Sequence, residues 1–231
     1  MQENITQQDL YIATLCHDLK NPLLAQKKTL ELISKESFGK LNSSQQEMIQ
    51  LLLNSTNYMS EMLSSLVEVY KYQNGNIALI PEKTEIDKLI FSAIDEVKSL
   101  GVDKNIRIFY QNSNIKIMID RLQIKRVIIN ILTNALSYAF ENTNVIIRNY
   151  KKNGNYVFEF SCLSPEIDEK IKSTIFSKFV SHKSSTGLGL YLSKQIIEAH
   201  NGQIYLKNNS IQNTFVFEIP CDKSFKKYVK W

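Results

Sequence analysis

Leu15-Cys16-His17-Asp18-Leu19-Lys20-Asn21-Pro22-Leu23-Leu24 sits inside a run that otherwise reads as one long amphipathic helix. Ile12, Cys16, Leu19, Leu23, Leu30 and Ile33 recur at alternating three- and four-residue steps, with Gln26 the one polar member. That is the apolar stripe of a helix packed in a bundle. His17 lies one position off the stripe, at its edge, where solvent and a partner can reach it. Asp18 is its neighbour, and Asn21, four residues on, shares its face. Pro22 removes a backbone hydrogen bond in mid-helix, so a kink or a loosened turn is expected there. A neutral imidazole has one lone-pair nitrogen free to attack phosphorus. A neighbouring carboxylate can orient the ring and take up its proton. An amide one turn away can position a water. The bland alternative is a surface histidine with a chance acidic neighbour, but a proline in mid-helix has no use in a purely structural bundle.

The sequence His17-Asp18-Leu19-Lys20-Asn21-Pro22-Leu23 resembles the phosphoacceptor box of two-component sensor histidine kinases, with every position of that pattern filled. The resemblance implies His17 as phosphoacceptor, Asp18 as base, and Asn21 in hydrolysis of a phosphoryl group. It also implies nucleotide-binding boxes about a hundred residues downstream.

The chain has 231 residues, 43% hydrophobic and 22% charged, with a net charge of +5. That length suits two small domains, and the mild basicity fits contact with phosphates or acidic surfaces. No basic stretch is interleaved with aromatics, so a nucleic-acid partner is not expected. Cys16, Cys162 and Cys221 are far apart and lack metal-ligand spacing, which fits reduced thiols in the cytoplasm. No apolar run reaches 18 residues and no signal peptide is evident, so membrane contact is not expected. Most sensor kinases are membrane proteins; the chain reads as a cytoplasmic member or as a piece of a longer one.

Residues 5 to about 37 read as the first helix, Phe38 to Asn42 as a turn, and a second helix runs to Gln73, capped by Ser43 or Ser44. Met48, Leu52, Met59, Met62, Leu66 and Val69 repeat at helical steps along it. A two-helix hairpin cannot bury both stripes alone, and pairing two hairpins into a four-helix bundle solves this, so a homodimer is expected. After a linker near 73–78, strands are expected at 77–80, 106–110, 115–119, 144–151, 155–161, 203–207 and 214–219. Helices are expected at 84–100, at 121 to about 140 behind an Asp120 cap, and at 187–200. The expectation is an all-α helical hairpin, residues 1–75, followed by an α+β sandwich with helices on one sheet face, residues 76–231. The resemblance makes the second part an ATP-binding domain of the GHKL type. The basic, aromatic tail from Lys223 to Trp231 reads as solvated or docked, with membrane or partner contact as the alternative.

Asn130 and Asn134 fall four apart on one helix face, and an amide oxygen can complete a magnesium shell made otherwise of phosphates and waters. Gly187-Leu188-Gly189 opens a helix, where backbone amides and the helix dipole favour an anion. The two segments resemble the family's N and G2 boxes. The resemblance implies Asn134 as the magnesium ligand, Asn130 at the phosphates and Tyr138 beside the nucleotide. It also implies Gly187, Leu188 and Gly189 around the phosphates, with His182 and Lys183 contacting them from a short lid. Many members carry a lysine where Ser137 stands. The family's G1 box fails to match: Cys162 stands at the aspartate that accepts the adenine amine, and Ser164 and Glu166 at two glycines. A thiol is a poor acceptor, and an unmet polar group on a buried base costs about 1–3 kcal/mol.

Two functions are therefore weighed. One is a histidine kinase core that takes a phosphoryl group from ATP with Mg2+ onto His17 and passes it to a response-regulator receiver domain. The other is an ATP-independent phosphotransferase or response-regulator phosphatase with a degenerate nucleotide domain.

Overall fold

The structure is a computed structural model that describes residues 7–73, 78–180 and 186–221, with the side chains of 7–13, 17 and 71–73 left undescribed. The expectations for His182, Lys183 and the tail from Lys223 lie outside these residues. Contacts divide the chain into two units: residues up to 76 with 179–188, and 77–178 with 189 onward.

In the first unit α1 (Gln7–Ser34) and α2 (Ser43–Gln73) form an antiparallel hairpin. The cap of α2 is not a serine. Asn42 accepts the Gln45 N–H at 2.9 Å, and the Gln45 side chain accepts the Asn42 N–H at 2.9 Å. This reciprocal box satisfies two orphan amide donors at once. Cys16, Leu30, Thr56 and Val69 are buried, and Ile49, Leu53, Ser60, Leu63 and Val67 are half-buried. Thr56 and Ser60 are small, and their hydroxyls bond back to the Leu52 and Thr56 carbonyls at 2.8 and 2.9 Å, so they cost little to enclose. The sheltered row on α2 thus runs one position round from the methionine stripe. Met48, Leu52, Met59 and Met62 stay exposed, as do Leu15, Leu19 and Leu24 on α1.

The second unit begins with an extended segment. The strand expected at 77–80 does not form in its described part. Ile80 is exposed, and its N–H bonds to the Asp120 carboxylate at 2.9 Å rather than to a ladder. The strand lies just beyond Pro81, as β1 (Glu82–Glu85), because tertiary pairing with β3 (Lys116–Ile119) overrides local propensity. This shortens the next helix to α3 (Ile86–Val97), with a 3-10 turn to Gly101. Further along come β2 (Arg107–Tyr110), α4 (Arg121–Tyr138), β4 (Asn144–Lys152) and β5 (Asn155–Leu163). A short α5 (Glu169–Thr174), α6 (Gly189–Ala199), β6 (Gln203–Asn209) and β7 (Gln212–Pro220) complete the unit. The order of the main sheet is β2-β4-β5-β7-β6, antiparallel except for the parallel β2–β4 pair. Helices over a mixed sheet are the expected class, and the core they share explains it. Ile90, Ile124, Ile128 and Ile131 are buried with the sheet residues Val145, Ile147, Phe158, Phe160 and Phe217. Phe158 and Phe217 stack at 4.5 Å. Each such side chain, fully buried, stabilises by about 1.5–3 kcal/mol.

Candidate functional site

Asp120 starts the helix that carries the amides. Its carboxylate accepts the Gln123 N–H at 3.1 Å, as its position before α4 predicts. Its own N–H donates to His200 Nε2 at 3.1 Å, while His200 Nδ1 donates to the Ile196 carbonyl at 2.8 Å. Those partners fix the neutral tautomer. Burial pushes the imidazole below its ordinary range, against the pull of the Ile196 carbonyl and of Asp120. His200 is therefore a buried brace between the start of α4 and the end of α6.

Asn130, Asn134 and Tyr138 follow along one face of α4 at steps of four, all half-buried. Asn130 Nδ2 donates to Ser193 Oγ at 2.9 Å. Its carboxamide also lies directly against Gly189: a Cβ there would overlap the Asn130 side chain. Three residues from two helices thus form one contact, and a side chain at 189 would displace the Asn130 carboxamide from it. Asn134 has no side-chain hydrogen bond among the described residues, which leaves its amide oxygen available. Gly187 has φ +66, and a Cβ would meet the Phe179 and Val180 backbone at 2.7–2.8 Å. That positive φ is why α6 starts at Gly189 rather than at Gly187 as expected. The Leu188 N–H is taken by Thr186 Oγ1 at 3.3 Å, and the Leu188 side chain is buried. The N–H groups of the first turn of α6 have no carbonyl partner within the helix.

Cys162, Ser164 and Glu166 are placed differently. Cys162 is 4% exposed on β5, and its thiol points to Ser164 Oγ at 3.7 Å. Burial raises its pKa, outweighing the bond to Ser164, so at neutral pH it is a neutral thiol and no substitute for a carboxylate acceptor. Ser164 is buried, and Glu166 is exposed. Asn213 and Asn208, which the sequence reading did not single out, hold this loop. Asn213 Nδ2 donates to Ser164 Oγ at 2.7 Å and to the Pro165 carbonyl at 2.8 Å, and Asn208 Nδ2 donates to the Ile167 carbonyl at 3.1 Å. A signal was present: Asn213 shares the inward parity of Phe215, Phe217 and Ile219, where an apolar residue belongs.

In the hairpin, His17, Asp18, Asn21 and Pro22 stand on consecutive turns of α1, and Asp18 and Asn21 are exposed. The helix continues through Pro22. Pro22 brings no backbone N–H to the helical ladder at this point.

Two family models match this chain. Residues 7–75 match the His Kinase A (phospho-acceptor) domain, and residues 119–223 match the Histidine kinase-, DNA gyrase B-, and HSP90-like ATPase. The chain belongs to the two-component sensor histidine kinases. Relatives in this family include sensor protein KdpD of Clostridium acetobutylicum, 26% identical over 90% of this chain and 24% of its own length. Another is the heme sensor protein HssS of Staphylococcus aureus, 24% identical over 95% of this chain and 49% of its own. The chain thus spans between a quarter and a half of these relatives. Among solved structures, full-length ShkA in complex with AMPPNP matches with a TM-score of 0.77, at 20% identity, over 91% of this chain and 45% of that one. The Acinetobacter baumannii histidine kinase AdeS matches at 0.66, at 19% identity, over 90% and 98%. The catalytic domain of histidine kinase ThkA is 29% identical, with a TM-score of 0.57, over 62% and 97%. The ATPase-family match carries ATP binding with it as a property of the fold. Among the described residues, no helix is long and apolar enough to cross a membrane.

Proposed function

We propose that this chain is the kinase core of a two-component system, moving the γ-phosphoryl group of ATP to His17 and on to an aspartate of a response-regulator receiver domain. The observation that supports the proposal is the contact of Gly189, Asn130 and Ser193 at the start of α6, in a chain whose sequence also carries a complete His17 box. ATP with Mg2+ supplies the phosphoryl group and neutralises its charge. Asn134, half-buried with a free amide oxygen, is the residue that would hold the metal. Asn130 orients the start of α6. Tyr138 flanks the nucleotide, and Lys183 supplies a lid cation. One nitrogen of His17 attacks the γ-phosphorus as the bond to the β,γ-bridging oxygen breaks and ADP leaves, while Asp18 takes the ring proton from the other nitrogen. In a separate phosphatase step, Asn21 positions the water that cleaves the receiver domain's aspartyl phosphate, releasing inorganic phosphate and the free aspartate. The domains follow the same division, 1–75 for phosphotransfer and 76–231 for nucleotide.

The exposed stripe of Met48, Leu52, Met59 and Met62 supports a homodimer, because a second hairpin would bury it. ATP and a receiver domain as reactants put the work in the cytoplasm. The buried thiol at 162 favours the second reading, an ATP-independent phosphotransferase or phosphatase. Mixing the chain with γ-labelled ATP, Mg2+ and a receiver domain separates the two. Label on the receiver that depends on His17 supports the kinase. A receiver that stays unlabelled from ATP, yet loses a pre-loaded phosphoryl group faster in the presence of the chain, supports the alternative.

A further inference from the structure

Val145, Cys162, Asn213 and Asn208 stand opposite one another across β4, β5, β7 and β6. Directly opposed residues of antiparallel strands project from the same face, so the four form one row. Strand alternation puts that row on the face of Phe158, Phe160, Phe215 and Phe217, the core face of the sheet. Asn213 is 2% exposed. Both hydrogens of its amide nitrogen are in use, toward Ser164 Oγ and the Pro165 carbonyl. A backbone carbonyl can only accept, so the nitrogen must face the loop and Oδ1 must face away from it. That oxygen is buried and has no hydrogen-bond partner among the described residues. Asn208, beside it in the row, repeats the pattern: its nitrogen holds the Ile167 carbonyl, and its oxygen is buried with no partner among the described residues. Buried polar atoms without partners are rare in folded proteins, and two side by side over one loop form a site that lacks its donor.

We propose that Asn213 Oδ1 is the acceptor for the exocyclic amine of the purine base, carried on β7 in place of the carboxylate missing at Cys162 on β5. The proposal rests on the nucleotide-binding reading above and names the residue that sets its base preference. An exocyclic amine brings N–H donors and no competing acceptor, the complement of the exposed valence of this row. The neighbouring thiol is neutral, and Ser164 Oγ already accepts from Asn213, so neither offers a comparable acceptor. A neutral amide oxygen binds an N–H less strongly than a charged carboxylate does, so ATP is selected, but less sharply than by an aspartate.

The test is a calorimetric titration of the whole chain with ATP and with ITP, whose base has a carbonyl in place of that amine. A carbonyl facing Asn213 Oδ1 would leave two acceptors opposed. The expected result is about ten- to hundred-fold tighter binding of ATP. Asn213→Leu removes the acceptor and brings the two affinities together. Asn213→Asp loses the loop bonds but keeps an acceptor, and therefore keeps the preference for ATP, which separates base reading from loop anchoring. Equal binding of ATP and ITP by the wild type, or a preference that survives Asn213→Leu, overturns the assignment and leaves nucleotide binding standing. Failure of the wild type to bind either nucleotide overturns both.

Discussion

The two ends of the nucleotide unit are built on different principles. At the end proposed to hold phosphate, Asn130 lies directly against Gly189 and bonds to Ser193. At the end proposed to hold the base, Cys162, Ser164 and Glu166 stand where the family resemblance implies a carboxylate and two glycines, and a pair of asparagines on neighbouring strands bonds to that loop. Backbone amides and a helix dipole have no side-chain equivalent, so a phosphate cradle must keep its glycines. A base is read by side chains, and a side-chain acceptor can move to a neighbouring strand. The contrast teaches that loss of a sequence motif at one end does not by itself mean loss of the ligand.

The largest effect should come from breaking the phosphate end. Gly189→Val drives a branched side chain into Asn130, separating α6 from α4. Nucleotide affinity should fall by about a hundred-fold or more, with roughly 1–3 kcal/mol of stability lost in urea titrations. Affinity close to wild type would remove the phosphate end from the site. A smaller effect, of opposite sign on binding, is expected at the base end. Cys162→Asp places a carboxylate where the thiol is buried, which destabilises the free protein by roughly 1–3 kcal/mol but tightens ATP binding about tenfold. Unchanged binding would mean that position 162 does not face the base. Ser193→Ala is smaller again. It frees the Asn130 amide, for about 1 kcal/mol of stability and a few-fold weaker ATP binding by calorimetry.

The smallest effect is a pH dependence that tests the brace behind both ends. His200 is held neutral when folded, with its pKa lowered chiefly by burial. Below its ordinary value of 6.5 the unfolded chain takes up a proton that the folded chain refuses. The contribution is therefore fully present above that pH and is lost as pH falls beneath it, by at most about 1.4 kcal/mol per unit. Thermal melts between pH 7.5 and 5.5 should show this slope in the wild type and a shallower one in His200→Gln.

Much of the architecture could be read from periodicity. The amide row of α4 and the Asp120 cap act locally, and each reports its structure directly. The misplaced elements are those decided from afar. The strand at Glu82–Glu85 exists because β3 pairs with it, and nothing in Ala78-Leu79-Ile80 reveals that their neighbours are chosen instead. The start of α6 moved because Gly187 takes a positive φ that its sequence permits but does not require. In the candidate site, amides at helical spacing were visible on one element. The partnership of Asn130 with Gly189 and Ser193 was not, since it joins residues about sixty positions apart. Asn213 was missed for the same reason. Its meaning lies in being opposite Cys162, a fact of register rather than of local sequence.

The most direct measurement is autophosphorylation of the chain alone. Wild-type protein incubated with γ-labelled ATP and Mg2+, with no receiver domain present, should acquire an acid-labile, alkali-stable label. The label should disappear in His17→Ala and persist in Asn21→Ala. Absence of label on the wild type, with ATP shown by calorimetry to be bound, would contradict the account.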